Sequence, residues 1–186
     1  MIKKMMISEK LRKLLPYAGL PVLVVVCFIV CASRLDTLTV LQRGLLVVFG
    51  YIATVGDIKA RKIPNPLTLA MLAAWVLVIL PPLFYDIGRI ADMLIDAGLG
   101  FALGGGLFLL IYFVSRKGLG GGDVKFMAVA GLYLGFRLVL SAMLFGSVLA
   151  ALTGIVLIAF KKIGRKDTIP LAPFLFAGIL TAVFLL

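Results

Sequence analysis

No histidine occurs anywhere in the 186 residues, and Cys27 and Cys31 are the only cysteines. A zinc site wants about four ligands, drawn largely from those two residue types, so neither a metal centre nor a disulfide is expected, and no cofactor is. The two cysteines stand i, i+4 inside the first apolar run and share one helical face, where packing accounts for them. Charge is also scarce: 15% of residues are charged against 63% hydrophobic, and the mean hydropathy of +1.20 excludes an ordinary soluble domain. Acids are scarcest, eight Asp and Glu against nineteen Lys and Arg, for a net charge of +11. In a soluble protein that excess would suggest nucleic acid. Here the cations fall in short blocks between apolar stretches, a pattern of membrane topology, so the expected partner is a lipid bilayer and no nucleic acid.

Apolar runs near 14–33, 38–56, 67–85, 94–114, 124–137, 138–160 and 169–186 predict an all-α, polytopic bundle of transmembrane helices with no soluble domain. The fifth run is short and meets the sixth at Arg137, which leaves six or seven crossings open. Residues 1–37 are expected to form a basic cytoplasmic N-terminus plus a first helix, and residues 38–186 the main membrane domain. Met1 to Leu15 is basic and Val30-Cys31-Ala32-Ser33 offers small residues at a cut site, the pattern of a signal sequence. The first apolar run nevertheless exceeds the usual core of about 7–15 residues, and a retained anchor is expected. With the basic blocks inside, 15 cations face the cytoplasm and only Arg34, Arg43, Arg89 and Arg137 face outward.

Two aspartates stand out in this background. Asp57, in Val55-Gly56-Asp57-Ile58-Lys59, and Asp123, in Gly120-Gly121-Gly122-Asp123-Val124-Lys125, each sit where a long apolar run meets a basic loop. Both should lie at one depth on the cytoplasmic side. An acid at a membrane helix end is a functional candidate, and two at matched depth suggest a shared proton and general acid/base work. They are 66 positions apart, so pairing them requires their helices to be neighbours. Gly120, Gly121 and Gly122 remove side chains that would block an extended peptide. Asn65-Pro66 supplies a helix start. Lys59 and Lys125 each follow an aspartate by two residues, as nearby cations or as anchors snorkelling to head groups. Asp86, Asp92 and Asp96 fall on the outer side, where ordinary loop acids are expected, with a place inside the start of the fourth run open to Asp96, and Asp167 reads as a solvated loop charge. The glycines between Gly98 and Gly106, and again Gly146 and Gly154, have the spacing of close helix packing.

Gly120-x-Gly122-Asp123-x-Lys125, with Asp57-x-Lys59 and the following Ile63-Pro64-Asn65 as far as Thr68, resembles the prepilin peptidase family of GxGD aspartic membrane proteases. Ile169-Pro170-Leu171-Ala172-Pro173-Phe174 is similar to that family's Pro-rich approach to its last helix. The resemblance runs from about Gly56 to the C-terminus. It implies cleavage of the basic leader of type IV prepilins or pseudopilins at the cytoplasmic face of the inner membrane. Asp57 and Asp123 match its catalytic pair, with Gly120, Gly121, Gly122, Lys59, Lys125, Pro64 and Asn65 shaping the site. The implied substrate has Gly at the last leader position and Glu five residues into the mature pilin. No cysteine tetrad is present, so a short, peptidase-only form like that of tight-adherence pilus systems is expected, without methyltransferase activity. Two other readings use the same acids. A small ion- or proton-coupled transporter would place them nearer mid-bilayer and show an internal repeat, which is not evident here. A presenilin-like or signal-peptide-peptidase-like protease fits neither Val55-Gly56-Asp57 nor Pro170-Leu171-Ala172-Pro173.

Overall fold

The computed structural model describes residues 19–32, 35–84, 86–115, 119–162, 164 and 169–185. The N-terminal basic block and the start of the first apolar run lie outside the described residues. So do Ser33, Arg34, Arg116, Lys117, Gly118, Arg165, Lys166 and Asp167. The described residues form helices α1 (Leu20–Ala32), α2 (Thr37–Ala60), α3 (Asn65–Ile79), α4 (Ile87–Val114), α5 (Gly121–Ala159) and α6 (Ala172–Leu185). A short 3-10 turn, Pro82–Phe84, follows α3, and no strand occurs among the described residues.

Helix ends are set by local chemistry. The Asp36 carboxylate caps α2 by accepting from the Thr39 amide, and Asp86 caps α4 by accepting from the Arg89 amide. Because Asp86 satisfies an orphan donor there, α4 starts at Ile87, seven residues before its apolar run begins. The third apolar run continues to residue 85, but the helix stops at Ile79 ahead of Pro81 and Pro82. α3 opens at Asn65 with Pro66 inside its first turn, but the cap position is Pro64 and no side chain caps this helix, so Asn65 is not its cap.

α5 is two helices in one. Gly135 has φ 70° and ψ −179°, a conformation open to glycine and costly to other residues. Before it, Met127 packs against Gly104; after it, the Val139 side chain reaches the same Gly104. Twelve residues of straight helix would separate those positions by about 18 Å. The chain therefore folds back at Gly135 into two antiparallel arms, and the described residues hold seven helical segments. The Asp96 carboxylate accepts from the Phe136 amide at 3.0 Å and so caps the second arm. Asp96 thus lies inside α4 with a capping contact, and Asp92 is also a helical residue of α4 rather than a loop acid.

Packing fixes the order of the bundle. The first arm of α5 lies on α4, with Gly100 against Gly131, and on α3, where Trp75 Nε1 donates to the Leu132 carbonyl and the Tyr133 hydroxyl to that of Met71. The second arm lies on α6, with Gly178 against Ala142 and Gly146. α6 also lies on α2, where Phe176 covers Gly50 and Arg43 donates to the Val183 carbonyl at 3.2 Å. Glycine at these crossings lets backbones touch, which in lipid replaces the hydrophobic drive for helix association. Large side chains such as Phe28, Leu77, Ile95 and Leu110 stay exposed, as lipid-facing residues do. The chain is an all-α, multi-pass membrane protein.

Candidate active site

Asp57 lies in the last turn of α2 and Asp123 in the first turn of α5, and both are buried, at 6% and 9% exposure. Both line one cavity of about 600 Å³ whose walls are the loop from Ala60 to Asn65 and the segment Gly120–Asp123. Gly120, Gly121, Gly122, Pro64 and Asn65 all face this cavity.

Each wall has a local cause. α2 ends because Arg61 turns into the left-handed region (φ 51°, ψ 35°) while its amide donates to the Asp57 carbonyl at 2.7 Å. That turn sends the chain across the site, where Ile63 packs on Gly122. A Cβ at Gly122 would stand 3.2 Å from the Ile63 Cβ and 3.3 Å from its carbonyl oxygen, so Ile63 would have to give by a few tenths of an ångström. Gly120 leaves room for a different neighbour: a Cβ there would stand 2.7 Å from Asp123 Oδ2. Gly121 alone has nothing within 4 Å. Gly120 and Gly122 are therefore closely packed, on Asp123 and Ile63, and Gly121 keeps the cavity wall bare.

The carboxylates differ in their partners. Asp57 Oδ2 accepts from the backbone amide of Ala172 at 3.0 Å, the first residue of α6. Ala172 is fully buried, and Pro173 beside it has no N–H, so this carboxylate meets an orphan donor at a helix start. Asp123 Oδ1 is buried with no hydrogen-bond partner. A buried, unpaired carboxylate oxygen is costly and calls for a reason, and a role toward a ligand is one.

The lysines sit apart from this geometry. Lys125 is exposed, and its Nζ donates to Asn65 Oδ1 at 3.0 Å, which ties the start of α5 to the start of α3. Lys59 is exposed in the last turn of α2, and neither lysine lines the cavity. Arg61, Lys62 and Ile63 do line it, and Ala172 bears on it only through its amide bond to Asp57. The Ala172 amide had no signal in residue type; only the Pro-rich stretch around it marked the place. No cluster of metal-binding side chains occurs among the described residues.

Comparison with known proteins bears on this site. The model of the Type IV leader peptidase family matches residues 44–155, which include both aspartates. A Bacillus subtilis (strain 168) protein named "Prepilin leader peptidase/N-methyltransferase" is 33% identical over 134 residues, 70% of this chain and 50% of that protein. An Aeromonas hydrophila protein of the same name is 30% identical over 120 residues, 64% of this chain and 40% of that protein. The chain thus spans half or less of the length of these curated relatives. No solved structure matches it significantly.

Proposed function

This chain belongs to the type IV leader peptidase family, and from that premise we propose that it is an aspartic endopeptidase that removes the basic leader of type IV prepilins or pseudopilins. Asp57 and Asp123 form its catalytic pair. The observation that carries the reading is the convergence of two buried carboxylates, from helices far apart in sequence, on one cavity at the membrane edge. Lys59, Arg61, Lys62 and Lys125 stand at that end of the bundle, whereas Arg43, Arg89 and Arg137 stand at the other. The positive-inside rule then puts the site at the cytoplasmic face of the inner membrane, with the N-terminus on the same side.

In the proposed reaction one carboxylate, ionised, takes a proton from water as its oxygen attacks the scissile carbonyl carbon. The other, protonated, donates to the carbonyl oxygen. The tetrahedral intermediate collapses as the first carboxylic acid returns its proton to the leaving nitrogen, the C–N bond breaks, and the second recovers its own. Neither role is assigned to one residue of the pair. The Ala172 amide holds Asp57 in place. Gly121 leaves the wall open to an extended peptide, while the first transmembrane helix of the substrate stays in lipid beside the bundle. The proposal covers the peptidase reaction alone.

Leader cleavage of a purified prepilin, with the protein in detergent or liposomes, tests this. Asp57→Asn and Asp123→Asn keep side-chain size and leave an amide oxygen to accept from Ala172, so the fold survives. Both variants are expected to lose processing by a factor of about 10³ or more, the range seen when a member of a catalytic unit is removed. Processing that persists in both would overturn the assignment.

A further inference from the structure

At the end of the bundle opposite the aspartates lies a second cavity of about 770 Å³, between the outer ends of α2 and α4 and the fold-back at Gly135. Its volume is within the range of small-molecule sites, about 300–1,000 Å³. Gln42 lines it at 2% exposure, and its side-chain Nε2 has no hydrogen-bond partner. An amide nitrogen is a pure donor, so what is missing is an acceptor oxygen.

Arg43, Arg89 and Arg137 line the same cavity, against one acid, Asp96, so the lining is net positive. Asp96 Oδ1 already accepts from the Phe136 amide. Arg89 reaches Asp36 at 2.7 Å on the rim. One N–H of Arg43 donates to Val183, and a guanidinium carries five donors, more than that bond engages. Phe136 and Leu140, both apolar and exposed, continue the wall toward the lipid. A buried donor, cations at the interface and an apolar rim together match an amphiphile with an anionic oxygen head.

We propose that this cavity binds the phosphate of a phospholipid from the leaflet opposite the aspartates, with Gln42, Arg43 and Arg137 donating to its oxygens and an acyl chain along Phe136 and Leu140. The lipid would brace the fold-back and the start of α2 together.

The test titrates detergent-purified protein with phosphatidylglycerol, phosphatidylcholine, diacylglycerol or inorganic phosphate and counts bound species by native mass spectrometry. Wild type is compared with Gln42→Leu and Arg137→Gln. Both phospholipids are expected to bind wild type and to bind each variant about tenfold more weakly, the loss of one charge-assisted hydrogen bond. Diacylglycerol should not be retained. Undiminished phospholipid binding by the variants, or equal retention of diacylglycerol, overturns the phosphate site. Inorganic phosphate binding as tightly as the lipids overturns the lipid as its source. Arg137 is exposed, so Arg137→Gln keeps the test decisive if Gln42→Leu fails to fold.

Discussion

Replacing Gly131 by alanine should disable the proposed site from a distance. A Cβ at Gly131 would collide with the Gly100 carbonyl, and real Cβ contacts stay beyond 3.0 Å, so the two backbones must part. Both partners are backbone, so no side chain can swing aside, and the first arm of α5 has to move off α4 by about 1 Å or strain to a similar degree. Asp123 rides on that arm eight residues earlier, about 12 Å away along the helix. A misplacement of about 1 Å at a catalytic group costs on the order of 10²-fold in rate. Overpacking itself costs about 1–3 kcal/mol, partly offset by the better helix propensity of alanine. Gly106 on α4 is the control, since a Cβ there meets nothing within 4 Å. Gly131→Ala should therefore lower leader cleavage about 10²-fold and lower the thermal midpoint, while Gly106→Ala leaves cleavage unchanged. Equal behaviour of the two variants in cleavage and in thermal unfolding would refute the packing argument.

Other outcomes follow from single contacts. Asp96→Ala strips the cap from the second arm of α5 and should cost about 1–2 kcal/mol in detergent unfolding, whereas Asp96→Asn, which keeps an acceptor, should cost less. Trp75→Phe removes the bond to Leu132 and should cost about 1 kcal/mol with cleavage retained. Burial acts to raise the Asp36 pKa, but the Thr39 hydroxyl and amide, with Arg89, outweigh it and hold the group below its ordinary value. The stability Asp36 contributes is then present above the unfolded value of about 3.9 and lost as pH falls through the lower folded one. The effect is small because the pair is exposed. Asp36→Asn should narrow the difference in thermal midpoint between pH 6 and pH 3, and an unchanged difference would contradict the sign.

Much of this architecture is legible in the sequence, because lipid imposes one long apolar run per crossing and the basic blocks mark one side. What misleads is that hydropathy sees neither caps nor breaks. Asp86 starts α4 well before its apolar run, and Pro81-Pro82 ends α3 inside one. The fold-back falls at Gly135, two residues before Arg137, because the turn needs a positive φ rather than a charge. Asp57 and Asp123 are conspicuous as acids in an oily chain. Their environment is not, since the Ala172 amide and the left-handed turn at Arg61 are backbone features that residue type does not advertise. The glycine triplet reads in sequence as an open door for substrate, and in the structure Gly120 and Gly122 also pack closely on Asp123 and Ile63.

The most direct test of the paired aspartates is a double-mutant cycle on leader cleavage, with Asp57→Asn, Asp123→Asn and the two combined. If they act as one unit, each single replacement abolishes processing and the double variant is no slower than either. Losses that add across the double variant, or one aspartate whose replacement leaves processing intact, would contradict the shared role assigned to them.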